Sequence, residues 1–202
     1  MLDDPYFYRP DPNDPNGKPH LCSEVKQQNH RNKSLGYVEN WDTCIDIGSN
    51  VGHWCRDFTK KFKRIIAFEP QQVFIDCFKL NIDMSKVELH KLGLSYEEEL
   101  TSMDPIGQEM FYTDNNNIKC VTLDSMGFDF QIDYVKIDVD GYEYNVIRGA
   151  EKTLSSQKNC VINIELKRKN LKENYNPTIE LLNKYGFEHV DRHAGDSVFV
   201  KR

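Results

Sequence analysis

A chain of 202 residues, 39% of them hydrophobic, is long enough to bury a full core and has the size of one domain. Its formal charge of -6 and pI near 5.5 argue against a nucleic-acid surface, which needs clustered Lys and Arg to displace counterions from phosphates. No apolar run approaches the ~20 residues that cross a bilayer, so membrane insertion is not expected.

The densest basic run, Lys60, Lys61, Lys63 and Arg64, reads as the solvated end of a helix. Cys22, Cys44, Cys55, Cys77, Cys120 and Cys160 are scattered singly, without the CxxC spacing of a zinc or redox site, and are expected to be mostly buried thiols. With no secretory leader in the sequence, a reducing compartment, the cytoplasm, is the expected location.

In chain order, the first 20 residues carry Pro5, Pro10, Pro12, Pro15 and Pro19 beside Tyr6, Phe7 and Tyr8. Prolines break helices and sheets, so this segment reads as an arm, either pinned to the body by its aromatics or serving as a lid over a site. A polar, weakly amphipathic helix is predicted from Leu21 to about Asn32, so residues 1–41 form an arm and helix ahead of the main domain, 42–202.

After Trp41 strands and helices alternate: strand 43–47, helix 51–62, strand 64–68, helix 71–82, strand 87–91. Such alternation implies a parallel sheet, whose ligands bind at the carboxyl ends of the strands. Between Leu94 and Leu123 the rhythm breaks, with an acidic Glu97-Glu98-Glu99 run and a hairpin predicted to turn at Asp114-Asn115-Asn116-Asn117. Alternation resumes with strand 133–138, helix 143–157, strand 160–166 and a helix 177–185 capped by Gly186. Strands 187–190 and 197–201 are expected as an antiparallel pair at the sheet edge, making the fold a doubly wound, mostly parallel, Rossmann-like α/β sheet.

The first strand runs into Asp46-Ile47-Gly48-Ser49-Asn50-Val51-Gly52, and the second ends in Glu69, 21 residues after Gly48. A pyrophosphate site needs three glycines in G-x-G-x-x-G; here there are two, with a carboxylate two residues ahead of the first. That acid repels phosphate and attracts a cation. S-adenosylmethionine carries an ammonium and a sulfonium and no phosphate, so Asp46 suits its charges while the glycines let it approach the backbone. Glu69 has two oxygens for the ribose hydroxyls, each such bond contributing ~1.5–3 kcal/mol. The missing third glycine also argues against a nicotinamide-dependent reductase.

These residues are similar to the class I S-adenosylmethionine-dependent methyltransferases, and from Asp42 to Lys167 the chain resembles the FkbM family. The resemblance rests on Val121-Thr122-Leu123-Asp124, on Ile132-Asp133-Tyr134-Val135-Lys136-Ile137-Asp138-Val139-Asp140-Gly141-Tyr142-Glu143 and on Val146-Ile147-Arg148-Gly149-Ala150, with Asp140 where the family commonly has Glu. It implies methyl transfer, usually to a hydroxyl oxygen. Asp46, Gly48, Asn50 and Gly52 would surround the methionine portion, Glu69 the ribose, Gly93 and Leu94 the adenine edge, and Asp138 the methyl group.

A hydroxyl acceptor must lose a proton during attack, for which Asp138, Asp140, Glu143 and Glu165 are candidate bases and His193 a further one from the last turn. Asp138 and Glu165 end adjacent strands, and two close carboxylates raise one pKa toward a useful value. A divalent cation held by the same pair is the less favoured alternative, and no metal ligands are assigned. The expected substrate is a sugar, glycan or small hydroxylated metabolite. Two other functions are an N-methyltransferase, for which the lack of a Pro-Pro-Tyr pattern in the turn after Ile137 disfavours adenine, cytosine or glutamine nitrogens, and a silent nucleoside-binding interaction module.

Overall fold

The computed structural model describes residues 6–11, 13–14, 16–23, 33–102, 117–193 and 195–202. Strands β1 (Tyr6–Pro10) and β2 (Pro19–Ser23) come first, followed by β3 (Thr43–Ile47), α1 (His53–Lys61), β4 (Arg64–Phe68), α2 (Gln72–Asn81) and β5 (Val87–His90). Three short strands follow, β6 (Gly93–Leu94), β7 (Glu99–Ser102) and β8 (Asn117–Val121). The chain then forms β9 (Tyr134–Ile137), α3 (Glu143–Arg148), α4 (Glu151–Ser156), β10 (Cys160–Glu165), α5 (Arg168–Leu171), α6 (Tyr175–Lys184), β11 (Glu188–His193) and β12 (Asp196–Lys201).

Seven strands make the central sheet in the order β11-β12-β10-β9-β3-β4-β5. β3, β4, β5, β9 and β10 are parallel, while β12 runs against both of its neighbours, so the outermost strand β11 again points with β10. Thr43–Ile47, Tyr134–Ile137 and Cys160–Glu165 are buried at every position, as strands covered on both faces require. Ile45, Ile66, Val135 and Ile162 pack with Val146, Leu154 and Leu182 from α3, α4 and α6. On the opposite face Cys44, Ile65, Tyr134 and Val161 pack with Trp54, Phe58 and Phe78 from α1 and α2. The doubly wound α/β fold expected from the strand and helix rhythm is the fold observed.

Three local expectations are revised, and that of a hairpin is met in its two arms. The arm is not excluded from sheet structure: β1 and β2 pair antiparallel, and Pro10 faces Pro19 on the last rung, where the missing N–H groups interrupt no interior ladder bond. The helix expected from Leu21 gives way to β2 as far as Ser23; residues 24–32 lie outside the described residues, and a helical turn occupies 33–35. The arms of the expected hairpin are present as antiparallel β7 and β8, while the turn at Asp114–Asn116 lies outside the described residues. Finally, the helix predicted over 143–157 is two helices broken at Gly149.

That break has a tertiary cause. A Cβ at Gly149 would lie 2.0 Å from the Ser95 carbonyl oxygen, so the backbone passes there against the strand connection after β6. The start of α4 is capped from outside by Asp124, whose Oδ1 and Oδ2 accept from the N–H groups of Thr153 (2.8 Å) and Lys152 (3.0 Å). Asp133 plays a similar part at the sheet, accepting from the N–H groups of Asp42 and Thr43 at 2.9 Å each.

Cys44, Cys55, Cys77, Cys120 and Cys160 are buried; the Cys22 side chain lies outside the described set. Among the described residues no helix is long and apolar enough to cross a membrane.

Lys136 is the one lysine of the described residues set in the middle of the buried sheet, 3% exposed and directly across from Asp46 in the β3–β9 register. Its Nζ lies 3.2 Å from Asp46 Oδ1 and 4.0 Å from Asp138 Oδ2, and donates to the carbonyls of Ile47 and Gly48. Burial alone would lower its pKa, but the Asp46 and Asp138 charges outweigh that and hold it above the ordinary lysine value. Removing one partner strands the other charge. Lys136→Met is therefore expected to destabilise the fold by about 3–5 kcal/mol, and the double change Asp46→Leu with Lys136→Met to recover most of it, as read from urea unfolding midpoints.

Candidate active site

The carboxyl ends of β3, β4, β9 and β10 open into a cavity of about 460 Å³, bordered by Gly48, Glu69, Asp138 and Glu165. That volume suits a nucleoside-sized ligand with room for a second small molecule. Convergence of these strand ends is the arrangement that the sequence pattern implied.

Glu69 closes one end. It is 4% exposed and lines the cavity, and its two oxygens accept from the N–H groups of Asn50 (3.0 Å) and Gln71 (2.9 Å), one bond on each oxygen, which has room for a second. Burial pushes its pKa up to about 7, against the lowering effect of those two bonds. Gly93 and Leu94 line the same end, joined by Ile118 and Cys120 of β8 as an apolar wall. The segment after Leu94 thus contributes directly to the cavity.

The Gly48 turn works differently from the expectation. A Cβ at Gly48 would stand 2.0 Å from the Asp138 carbonyl oxygen, and its φ of +74° is in the left-handed region. The bare glycine lets the turn after β3 abut the turn after β9; the space is filled by protein backbone. Gly52 is not on the cavity wall, and its missing side chain accommodates Ile82. Asn50 is on the wall, and its Oδ1 accepts from the Val51 N–H at 2.8 Å, a local cap. Asp46 is fully buried and does not line the cavity: its carboxylate faces Lys136 and accepts from the Cys55 thiol at 3.1 Å.

At the opposite end Asp138, Asp140 and Glu165 come together, each offering an oxygen within 4.8 Å of the others. Glu165 is 6% exposed and its Oε1 touches the Lys167 ammonium. Burial, then the nearby Asp138 charge, pushes its pKa up to about 7. Two other candidate bases are elsewhere. Glu143 is 1% exposed and off the cavity wall, its Oε1 accepting from the N–H groups of Val139 (3.1 Å) and Gly141 (3.2 Å), so it braces the turn that presents Asp138 and Asp140. His193 ends β11 and is not a lining residue.

Sequence reasoning passed over several lining residues, Ser49, Arg9 and Lys167 among them. Ser49 sits between the two glycines, 3% exposed, with an Oγ that has no hydrogen-bond partner among the described residues. Arg9 comes from β1, whose Phe7 packs against Val51 and Phe74 and meets the His53 ring at a centroid distance of 4.1 Å. Lys167 follows the acid ending β10. The usable signals were a small hydroxyl in the turn and, for Lys167, a cation two residues beyond Glu165; nothing in the pattern of the arm marked Arg9.

Among solved structures, the chain is similar to a methyltransferase FkbM from Methylobacillus flagellatus KT (TM-score 0.58, 16% identity, 83% of this chain and 47% of that one). It thus spans about half the length of that relative. It is also similar to precorrin-6y C5,15-methyltransferase from Geobacter metallireducens GS-15 (TM-score 0.52, 15% identity, 87% of this chain and 88% of that one). The N-methyltransferase NodS from Bradyrhizobium japonicum WM9, in complex with S-adenosyl-L-homocysteine, matches with a TM-score of 0.51 and 9% identity over 86% of each chain. No curated protein matches. The structural likenesses establish the class I methyltransferase fold, and residues 46–189 match the methyltransferase FkbM domain; with well over half of its length inside that match, the chain belongs to the FkbM methyltransferase family.

Proposed function

We propose that this protein is an S-adenosylmethionine-dependent methyltransferase acting on a hydroxyl oxygen of a sugar, glycan or other small hydroxylated metabolite. The observation that carries this reading is a single strand-end cavity with a hydroxyl-accepting acid, Glu69, at one end and the acids Asp138 and Glu165 at the other. The negative net charge favours a small acceptor over a nucleic acid, and the buried thiols of Cys44, Cys55, Cys120 and Cys160 favour the reducing cytoplasm as its location.

The residues present fit the cofactor. Glu69 has the free lone pairs to take both ribose hydroxyls, and the wall of Leu94, Ile118 and Cys120 suits a flat base. The amino-acid end of the cofactor carries a carboxylate, which the unpartnered Ser49 Oγ and the Arg9 guanidinium complement. Residues alternate along a strand, so Arg9 lies on the same face of β1 as Phe7, which packs beside the Gly48–Gly52 turn. In this reading the arm is a wall of the cofactor pocket, in keeping with a lid.

The bound cofactor supplies an electrophilic methyl group on a positively charged sulfur. The protein's part is to bring the acceptor oxygen into line with that group and to receive its proton. A carboxylate at the Asp138 and Glu165 end of the cavity would receive the hydroxyl proton that the acceptor gives up on methylation. Glu165, with its pKa pushed up to about 7, is suited to hold a proton near neutral pH, and Asp138 beside it is the second acid on that side.

The cofactor reading predicts saturable binding of S-adenosylhomocysteine by calorimetry and none of NAD. Ribose hydroxyls favour the ionised form of Glu69, so its pKa falls in the complex; affinity is full above pH 7 and declines as pH falls below it, by at most tenfold per unit. Glu69→Gln is expected to bind about 10- to 1000-fold more weakly and to flatten that slope. If Arg9 holds the carboxylate, Arg9→Ala weakens S-adenosylhomocysteine by about tenfold or more while methylthioadenosine, which lacks the carboxylate, binds both proteins equally. The acceptor class is tested by transfer of labelled methyl to a panel of polyols and glycosides. An alkali-stable methyl ether is the expected product, and label appearing only on amines would overturn the oxygen assignment.

A further inference from the structure

Arg9 reaches the cavity from a strand that the central sheet does not hold. Among the described residues β1 pairs with β2 alone, so its outer edge has no strand beside it. A two-stranded ribbon is marginal in water by itself, and the N–H and C=O groups along its outer edge still require partners. At that edge stands one side chain of the body, Asn81, the last residue of α2.

Its amide takes the place of a strand residue. Oδ1 accepts from the Tyr8 N–H at 2.7 Å and Nδ2 donates to the Tyr8 carbonyl at 2.9 Å, the two-point contact that a neighbouring antiparallel residue would make. Nδ2 also donates to the Val51 carbonyl at 2.8 Å, one residue past Asn50 on the cavity wall. One acceptor and two donations exhaust what a carboxylate or an alanine could imitate, since neither can donate. The Tyr8 carbonyl belongs to the peptide bond that leads into Arg9. Asn81 therefore fixes the backbone from which the guanidinium extends, and fixes it relative to the turn that carries Ser49. The other attachments act earlier in the strand: the Arg56 guanidinium donates to the Tyr6 carbonyl at 2.7 Å and lies 3.3 Å from the centroid of the Phe7 ring.

We propose that Asn81 is a positioning residue for the amino-acid end of the cofactor. By standing in for a third strand at Tyr8 while bonding Val51, it sets Arg9 against the Gly48–Gly52 turn, so that one carboxylate meets Arg9 and Ser49 together. The inference rests on the cofactor reading above. A guanidinium placed in advance takes the carboxylate without first having to order the hairpin, so loosening the hairpin weakens only ligands that carry that group.

The test is calorimetry with S-adenosylhomocysteine and with methylthioadenosine, which lacks the amino-acid end, on the native chain, Asn81→Ala, Asn81→Asp, Arg9→Ala and the double variant Arg9→Ala with Asn81→Ala. Asn81→Ala is expected to weaken S-adenosylhomocysteine by about fivefold or more and methylthioadenosine by less than about twofold, the latter showing that the pocket is folded. Asn81→Asp keeps an acceptor for the Tyr8 N–H but loses both donations, and is expected to bind no better than Asn81→Ala. In the double variant S-adenosylhomocysteine should bind as weakly as in Arg9→Ala alone, because nothing is left to position. Native affinity in Asn81→Ala, recovery in Asn81→Asp, equal weakening of both ligands, or additive losses in the double variant would each overturn the role of Asn81 and leave the cofactor reading standing. Failure of the native chain to bind either ligand removes the cofactor reading, and this role with it.

Discussion

The buried ammonium of Lys136 is the constraint around which the rest of the site is arranged. A charge taken out of water must be matched by charges and carbonyls nearby, and this one gathers Asp46, the carbonyls of Ile47 and Gly48, and the edge of Asp138. Those partners belong to two different strands, β3 and β9. The ammonium therefore ties the Gly48 turn after β3 to the turn after β9 that carries Asp138 and Asp140. The contact between Gly48 and the Asp138 carbonyl is the steric counterpart of that electrostatic tie. Apolar residues at positions 46 and 136 would fill the sheet as well, but they would hold neither turn.

Acids outnumber Lys and Arg between Leu123 and Glu165, and six of them divide by what they face. Asp124, Asp133 and Glu143 accept backbone N–H groups at element ends, so their negative charge is used to fix the chain path. Asp138, Asp140 and Glu165 border open space. Glu143 connects the two sets: by accepting from Val139 and Gly141 it fixes the turn on which Asp138 and Asp140 are displayed. An acid one helical turn from a site thus shapes it without entering it.

The sheet was legible because each of its inner strands is an unbroken apolar run, and burial on both faces leaves no other pattern available. The location of the cavity followed from strand direction alone. What stayed hidden depends on contacts between distant segments. Gly48 reads the same whether a ligand or another backbone fills the space of its Cβ, and only the approach of Asp138 decides between them. The helical period continues through Gly149, and the interruption comes from Ser95, far away in the chain. The prolines of the arm look like sheet breakers until the pairing puts Pro10 and Pro19 on the terminal rung. Lys136 was the most readable omission, since a lysine within Tyr134-Val135-Lys136-Ile137 has to be paired, and Asp46 on a neighbouring apolar strand was the available acid.

The hairpin of β1 and β2 lies outside the family match, which starts at residue 46, yet it supplies Arg9 to the cavity wall. It is fastened to the body by the Phe7 cluster, by the Arg56 guanidinium donating to the Tyr6 carbonyl, and by the Asn81 amide, which bonds both Tyr8 and Val51. None of these attachments enters the seven-strand ladder. A change confined to the hairpin would therefore reshape one wall of the cavity while the strand register and the acids at the strand ends stay in place.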